Sequence, residues 1–368
     1  MQAVLANARV RRPESPGLWT LAWRRFCRDR VGLASFAVVV FFFALMVASG
    51  LRLVAADWST EAGVFYAPPT FVGPKSAERS DAPRGGSERG ANPADPLAGV
   101  LSEIQGQKPA GAGGEGVVDP LAGVLAEIKA EEAGKAAHAE ARSPTLVFGG
   151  DRWGRDVLKK TIKGTETSMF VGLMAAALTA FLGTLFGALA GYYGRWVDDM
   201  FNWFYSIFTA VPYLLLILAI AAVLNQKGTM TVILILGLTG WTGIFRLVRA
   251  EYLKHKVREY IQAADAIGAS QARRMFVHIL PNVSHVVLVQ LSLHVVLFIK
   301  SEVVLSFLGF GVGVDTVSWG SMLNEAQAEL ILGYWWQLAG ATIAMALLVT
   351  GFSLFTDALR DALDPKLK

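Results

Sequence analysis

Hydrophobic and polar positions fall along this chain in long blocks rather than at short period. The first apolar block, Val31 to Leu51, is about twenty residues long. At about 1.5 Å per residue that is enough to cross a hydrocarbon core of about 30 Å. Five more blocks follow, at Met169 to Tyr192, Trp203 to Leu224, Met230 to Val248, Val283 to Leu305 and Leu338 to Phe355. Each predicts a transmembrane helix, six in all, so the chain reads as an all-α membrane protein. The second block carries Gly172, Gly183, Gly187 and Gly191, small residues at which membrane helices approach closely, which places it inside the bundle. Pro212 predicts a kink in the third. The short polar stretch Asn225 to Thr229 predicts a tight hairpin between the third and the fourth.

The polar segments between the blocks set topology. Residues 1 to 30 carry Arg9, Arg11, Arg12, Arg24, Arg25, Arg28 and Arg30 against Glu14 and Asp29, which predicts a cytoplasmic N-terminus. Leu18, Trp19, Trp23 and Phe26 interleave with these arginines, as in a helix lying on membrane lipid; the alternative is a basic tail without structure. After the first span, residues 52 to 147 turn to Gly, Ala, Pro, Ser and charge, a largely irregular extracytoplasmic insert. Its basic residues do not oppose that placement, because long loops are translocated largely regardless of charge.

The insert holds a repeat, Asp-Pro-Leu-Ala-Gly-Val-Leu-Ser-Glu-Ile at 95–104 and Asp-Pro-Leu-Ala-Gly-Val-Leu-Ala-Glu-Ile at 119–128. Each copy is written as a short helix, with Asp95 or Asp119 as N-cap and Pro96 or Pro120 in the first turn. Leu97, Val100, Leu101 and Ile104 form one apolar stripe, and Leu121, Val124, Leu125 and Ile128 form its copy. Helices this short are marginal in water. Either they are nascent helices of a flexible insert made by local duplication, or they dock on an extracytoplasmic partner or on the chain's own outer face.

Composition agrees with the blocks. Hydrophobic residues make up 53% and charged residues 17%, against the ~25% charged usual in soluble domains. The net charge of +4 comes from basic residues that sit mostly beside apolar runs as topology signals, so no nucleic-acid partner is expected. A single cysteine, Cys27, excludes an internal disulfide, and the five histidines lack metal-ligand spacing, so no metal site is expected. There is no Gly-x-x-x-x-Gly-Lys-Ser/Thr phosphate loop, so the chain is not expected to be an enzyme that hydrolyses ATP by itself.

The polar stretch from 258 to 282 stands apart. It predicts a short helix with small residues at Ala263, Ala264, Gly268 and Ala269, ended by Pro281. Its order of Gln262-Ala263-Ala264, Gly268 and Leu280-Pro281 resembles the EAA loop of ABC-importer permeases, with Gln262 in place of the family's Glu and His278 in place of its Ile. The His-Ile-Leu-Pro-Asn ending is similar to the peptide/nickel branch. Further likeness to dipeptide and oligopeptide permeases lies at Asp151, Gly154, Arg155 and Asp156, in Gly237 to Arg249, and in the Glu302 to Gly311 and Ser318 to Glu325 segments. Gly150 and Glu166 depart from the branch's Thr and Arg. The likeness covers roughly 19–51 and 148–368.

That resemblance implies a type I ABC importer permease fold: a basic N-terminus (1–30), a first span (31–51), the insert (52–147) and a permease core (148–368) with a cytoplasmic coupling loop (255–282). It implies a C-type permease subunit of the bacterial cytoplasmic membrane, with both termini inside. The implied partners are a second homologous permease, two cytoplasmic ATPases that bind ATP and Mg, and an extracytoplasmic substrate-binding protein, with no cofactor on this chain. The coupling helix would dock on an ATPase through Arg258, Glu259, Tyr260, Gln262, Ala263, Ala264, Ile267, Gly268, Ala269, Arg273, Arg274 and Pro281, with Gly268 permitting close contact. Asp151 is expected to cap a helix, and Arg155 either to support structure or to pair with a carboxylate at the pathway mouth. Lys300 and Glu302 either reach the membrane interface or line the pathway as a charge pair near a gate that includes Trp319. Two other readings stay open: a membrane scaffold that recruits a partner through the insert, and an ion-driven secondary transporter, for which inverted repeats and central carboxylates are not evident. The solute, whether peptide, nickel chelate, glutathione or haem, is not legible.

Overall fold

The computed structural model describes residues 23–73, 142–313 and 315–363, and among these every regular element is helical. The helices are α1 (Arg30–Gly50), α2 (Val157–Tyr193), α3 (Arg195–Ala210), α4 (Tyr213–Leu224), α5 (Thr229–Thr239), α6 (Thr242–Lys256), α7 (Glu259–Ala266), α8 (Leu280–Phe307), α9 (Trp319–Ile331) and α10 (Trp336–Leu363). Five stretches are long and apolar enough to cross a membrane: α1, α2, α5 with α6, Gln271–Phe307 and α10. A sixth is added if α3 and α4 count as one bent span.

α2 is the axis of the bundle and packs against α1, α5, α6, α8, α9 and α10. A stripe of glycines explains its closeness to α6. A Cβ on Gly183 would lie 2.7 Å from Ile244 Cβ, one on Gly187 2.8 Å from the Phe245 carbonyl oxygen, and one on Gly191 2.7 Å from the Arg249 carbonyl oxygen. The two backbones therefore meet with no room for a side chain, as the glycine spacing predicts. Asp156 caps α2, its carboxylate accepting from Leu158 N at 2.8 Å. Asp151, expected as a cap, instead closes an Asx turn, accepting from Trp153 N and Arg155 N at 2.9 and 3.0 Å. The helix also starts at Val157, well before the apolar block at Met169.

The third span is not one kinked helix. Val211 and Pro212 are both extended, and α3 and α4 diverge by 86°. The proline disfavours helical backbone at the residue before it, so the chain breaks rather than bends. The polar stretch between the second and third apolar blocks is helical from Arg195. α3 is amphipathic: Phe201, Tyr205 and Phe208 pack on Trp241 and Phe245, while Trp196, Trp203 and Ile207 are exposed. The Asp198 carboxylate clamps α3 to α6 by accepting twice from Arg249, at 2.5 and 2.6 Å.

The segment expected as one irregular insert from 52 to 147 is divided. Residues 51–73 and 142–156 pair through isolated bridges, Gly63 with Ser143, Pro69 with Leu146 and Glu61 with Arg155. They form a cap over one end of the bundle, called here the cap end, and leave only 74–141 between them. Both repeats, with Leu97 to Ile104 and Leu121 to Ile128, lie outside the described residues, as does the start of the expected surface helix. Its remainder is a helical turn at 23–26. There Phe26 is buried against Phe36 and Phe355, and Trp23 is exposed.

Candidate functional site

At the end opposite the cap, α6 continues to Lys256 and the chain turns into α7. The helix has two anchors. Ile261 packs into a cluster with Tyr252, Met275, Ile279 and Val283, and Ala264, three residues on and so on the same helical face, is buried as well. Tyr252 adds a hydrogen bond, donating to the Met275 carbonyl at 3.1 Å.

α7 ends at Gly268 and not at Pro281. Gly268 has φ +81°, its N–H donates to the Asp265 carbonyl at 2.9 Å, and the Ala269 N–H donates to the Ala264 carbonyl at 2.9 Å. That pair of bonds is a Schellman motif, in which a left-handed residue satisfies the last carbonyls of a helix. Nothing lies within 4 Å of a Cβ built on Gly268. Its glycine is demanded by backbone conformation and not, within this chain, by close contact. The chain restarts at Ser270, whose hydroxyl accepts from Arg273 N at 3.3 Å. It then runs through a π-helical stretch, Arg274–Ile279, directly into α8. Pro281 sits in the first turn of α8, where its missing N–H costs little.

The other expected coupling residues are now placed. Arg258, Glu259, Tyr260, Gln262, Ala263, Ile267, Arg273 and Pro281 are exposed, Ala269 is half-buried and Ala264 is buried. Ile267, at 85% exposure, is the most prominent apolar side chain of the loop. Arg274 is not free to orient a partner, since its guanidinium pairs with Asp265 at 2.5 Å and ties α7 to the following turn. Tyr260 meets His255 at 2.8 Å, and partial burial pushes its phenol above the ordinary value. Tyr252, Ile261 and Met275 were missed from sequence. Their apolar identity alone did not separate them from the neighbouring spans.

The cap end holds the expected gate residues, arranged otherwise than expected. Glu302 is fully enclosed and accepts from Ser168 Oγ and Ser306 Oγ, both at 2.7 Å. Those hydroxyls in turn accept from Trp319 N and Val312 N, each at 3.3 Å. The carboxylate thus ties α8 to α2 and to the loop before α9, and lines none of the described cavities. Lys300 is exposed, and no ion pair joins it to Glu302 among the described residues; two positions apart on a helix, the two side chains diverge. Trp319 is buried, donates from Nε1 to the Thr161 carbonyl at 3.1 Å, and fits beside Gly164, where a Cβ would meet its ring at 2.9 Å.

A second polar cluster at this end was not foreseen. Lys160, 1% exposed, donates to Asp151 at 2.8 Å, Glu325 at 2.5 Å and Gln337 at 3.4 Å. Glu329 lies one helical turn beyond Glu325, with Oε1 accepting from Arg152 N at 3.2 Å and a buried Oε2 that has no partner. Burial holds the Glu329 carboxyl up at about 7, against the opposing pull of Lys160. At the rim, Lys159 pairs with Asp57 at 2.6 Å and holds that carboxylate below its ordinary range. The Glu325-x-x-x-Glu329 spacing marks a helix face, but nothing in the sequence pairs it with Lys160.

Neither end holds a group of three metal-ligating side chains among the described residues. What the arrangement offers is an anchored helix with an exposed face at one end, and a rigid polar cap with cavities at the other. Comparison with known proteins gives this arrangement its context. The family described as the binding-protein-dependent transport system inner membrane component matches residues 183–368. The N-terminal TM domain of oligopeptide transport permease C matches residues 17–69. The chain is 38% identical over 221 residues to the dipeptide transport system permease protein DppC of Bacillus subtilis, covering 60% of this chain and 69% of that one. It is 37% identical to the oligopeptide transport system permease protein OppC of the same organism, over 60% of this chain and 72% of that one. To OppC of Haemophilus influenzae it is 33% identical over 61% of this chain and 73% of that one.

Proposed function

Because the chain belongs to the family of binding-protein-dependent transport system inner membrane components, within its peptide-permease branch, we propose that it is the C-type permease subunit of an ATP-driven importer of peptides or a related small solute. It is a multi-pass inner-membrane transport component. In this reading both termini and the α7 loop are cytoplasmic and the cap is extracytoplasmic. The chain works beside a second, homologous permease, two ATPase subunits that carry ATP and Mg, and a binding protein that delivers the solute to the cap. It performs no covalent chemistry itself.

The observation that carries the reading is α7: a helix of two turns, anchored by Ile261 and Ala264, stopped by a Schellman turn, and showing an exposed face to whatever lies beneath. An ATPase groove that receives this face would push on α6 and α8 together, because α7 hangs between them. Closure of the ATPases would then switch the spans from inward-open to outward-open, a rigid-body change of the kind that importers use. The repeat insert is proposed to dock on an extracytoplasmic partner or on the permease's own outer face through Leu97, Val100, Leu101 and Ile104 and their copy Leu121, Val124, Leu125 and Ile128.

The test is affinity purification of the full chain coexpressed with its neighbours, with mass spectrometry and ATPase assay. ATPase subunits should copurify with the native chain and be lost from Ile267→Asp, whose side chain touches little within the chain. Copurification indifferent to Ile267→Asp, together with loss of function on deletion of 74–141, would favour the scaffold reading.

A further inference from the structure

Beneath the cap lies a cavity of about 420 Å³ bounded by Trp58, Trp153, the 309–317 loop and the start of α9. Its charge is one-sided. Arg152, Arg155, Lys160 and Lys227 line it against a single carboxylate, Glu325. Glu325 is already engaged by Lys160 and Gln337, and Lys160 also holds Asp151. That leaves Arg152, Arg155 and Lys227 without a carboxylate partner among the described residues.

Arg155 is the best built of the three. Its guanidinium lies 4.7 Å from the Trp153 ring centroid and 5.7 Å from that of Trp58, and its buried Nε has no hydrogen-bond partner. A guanidinium fixed by two aromatic rings keeps its planar fork of donors in one orientation, the geometry that a carboxylate meets with paired hydrogen bonds. The volume lies within the roughly 300–1,000 Å³ range of small-molecule sites. The indoles of Trp58 and Trp153, with Val312 and Val317, supply apolar walls for the body of a ligand.

We propose that this cavity binds the carboxylate of a small organic solute, with Arg155 as the anchor and Arg152 and Lys227 drawing the anion in. Arg155 follows Gly154, whose φ of +77° and approach to the Gly63 carbonyl oxygen set the direction in which the arginine leaves the backbone. The cap turn and the site are therefore one construction. The inference does not depend on the coupling reading, since its readout is solute binding and its variants lie at the cap end, away from α7.

The experiment compares N-acetyl-leucine with N-acetyl-leucinamide, which differ in the carboxylate alone. Their binding is read by scintillation proximity on the full chain in lipid nanodiscs, with its copurified subunits and without binding protein. The acid should bind saturably and the amide about tenfold or more weaker, the usual scale for losing a charge-assisted bidentate contact. Arg155→Gln should weaken the acid about tenfold. Should that variant fail to fold, Lys227→Glu, on the exposed rim, should weaken the acid by a similar factor and leave the amide unchanged. Equal binding of acid and amide, no saturable binding of the acid, or indifference of a folded Arg155→Gln or Lys227→Glu chain would overturn the proposal. Loss of ATPase copurification with intact binding would instead count against the coupling reading alone.

Discussion

Gly268 offers the sharpest separation of two physical ideas about the α7 loop. Close contact with a partner would make any side chain harmful there in proportion to its bulk. The structure argues for a different cause, because the residue has φ +81° and empty space around its missing Cβ. An L residue in the left-handed region costs roughly 1–2 kcal/mol, and a β-branched one more, since φ > 0 makes it a genuine outlier. Asparagine tolerates that region. One or two kcal/mol shifts a local equilibrium by a factor of about 5–30, and here the equilibrium lies between the closed Schellman turn and a loop whose Ala264 and Asp265 carbonyls have lost their donors.

The variants Gly268→Val and Gly268→Asn therefore give a test, as their side chains are of similar size. In proteoliposomes holding the whole transporter, Gly268→Val should reduce solute uptake per ATP hydrolysed by about 5–30-fold, while Gly268→Asn should stay within about threefold of native. Amide exchange at Ala269, whose N–H closes the motif on the Ala264 carbonyl, should quicken in Val and little in Asn. The thermal midpoint of the bundle should hardly move in either. Equal defects in Val and Asn, with exchange at Ala269 unchanged, would refute the conformational argument and restore close contact as the reason for glycine.

Three further outcomes follow from the packing. Gly187→Leu places a side chain where even a Cβ would stand 2.8 Å from the Phe245 carbonyl oxygen and 2.9 Å from Val248 Cβ; the chain should fail to accumulate in the membrane, whereas Gly50→Ala, whose added Cβ would meet nothing nearer than 4.0 Å, should accumulate normally on a membrane immunoblot. Glu302→Ala strands two buried hydroxyls and opens a hole, so the thermal midpoint should fall by the equivalent of at least about 2 kcal/mol with unchanged solute affinity; a selective affinity change would return Glu302 to the pathway. Burial raises the Glu329 carboxyl from 4.5 to about 7, so the folded chain keeps a proton that the unfolded chain gives up. That contribution to stability is complete below the unfolded value and falls by about 1.4 kcal/mol per unit as the pH rises toward the folded one. Thermal midpoints in detergent between pH 4.5 and 7 should therefore drop more steeply for the native chain than for Glu329→Gln, and parallel slopes would contradict the assignment.

How much of this was legible in sequence follows from which physics each feature depends on. Spans α1, α2 and α10 and the hairpin at Asn225 were readable because apolar length and a turn residue are local properties, and the glycine stripe of α2 was readable because its spacing matches a helix face. The third span was misread at Val211–Pro212, where apolar content continues across a backbone break that hydropathy does not register. Pro281 was misread for the converse reason: proline stops a helix from within but begins one equally well, and only the φ of Gly268 shows which residue ends α7. The Lys160 cluster and the Glu302 network were beyond reach, since the contacts that close them, Glu302 with Ser168 and Lys160 with Glu325 and Gln337, span 134 to 177 positions. No single-sequence pattern pairs a carboxylate with a lysine at that separation.

α2 is one of the helices that join the two ends of the bundle. It begins beneath the cap, where Lys160 and Ser168 anchor it to α9 and α8, and ends at Tyr193, two residues beyond the last glycine of the stripe. Because that stripe leaves no clearance, α6 is not free to slide on α2. In the proposed reading, a push on α7 would then move α2, α6 and the start of α8 as one body, with the cap carried along by its buried ion pairs. The compliance has to lie where packing is thinnest. Among the described residues that is the α3–α4 segment, where α3 contributes no buried residue, the backbone is broken by 86° and the Asp198–Arg249 clamp is the main polar tie to the rigid body. In the proposed coupling reading, glycine packing and the proline break are thus complementary: the first would make α2 and α6 a lever, and the second would supply the joint against which the lever works.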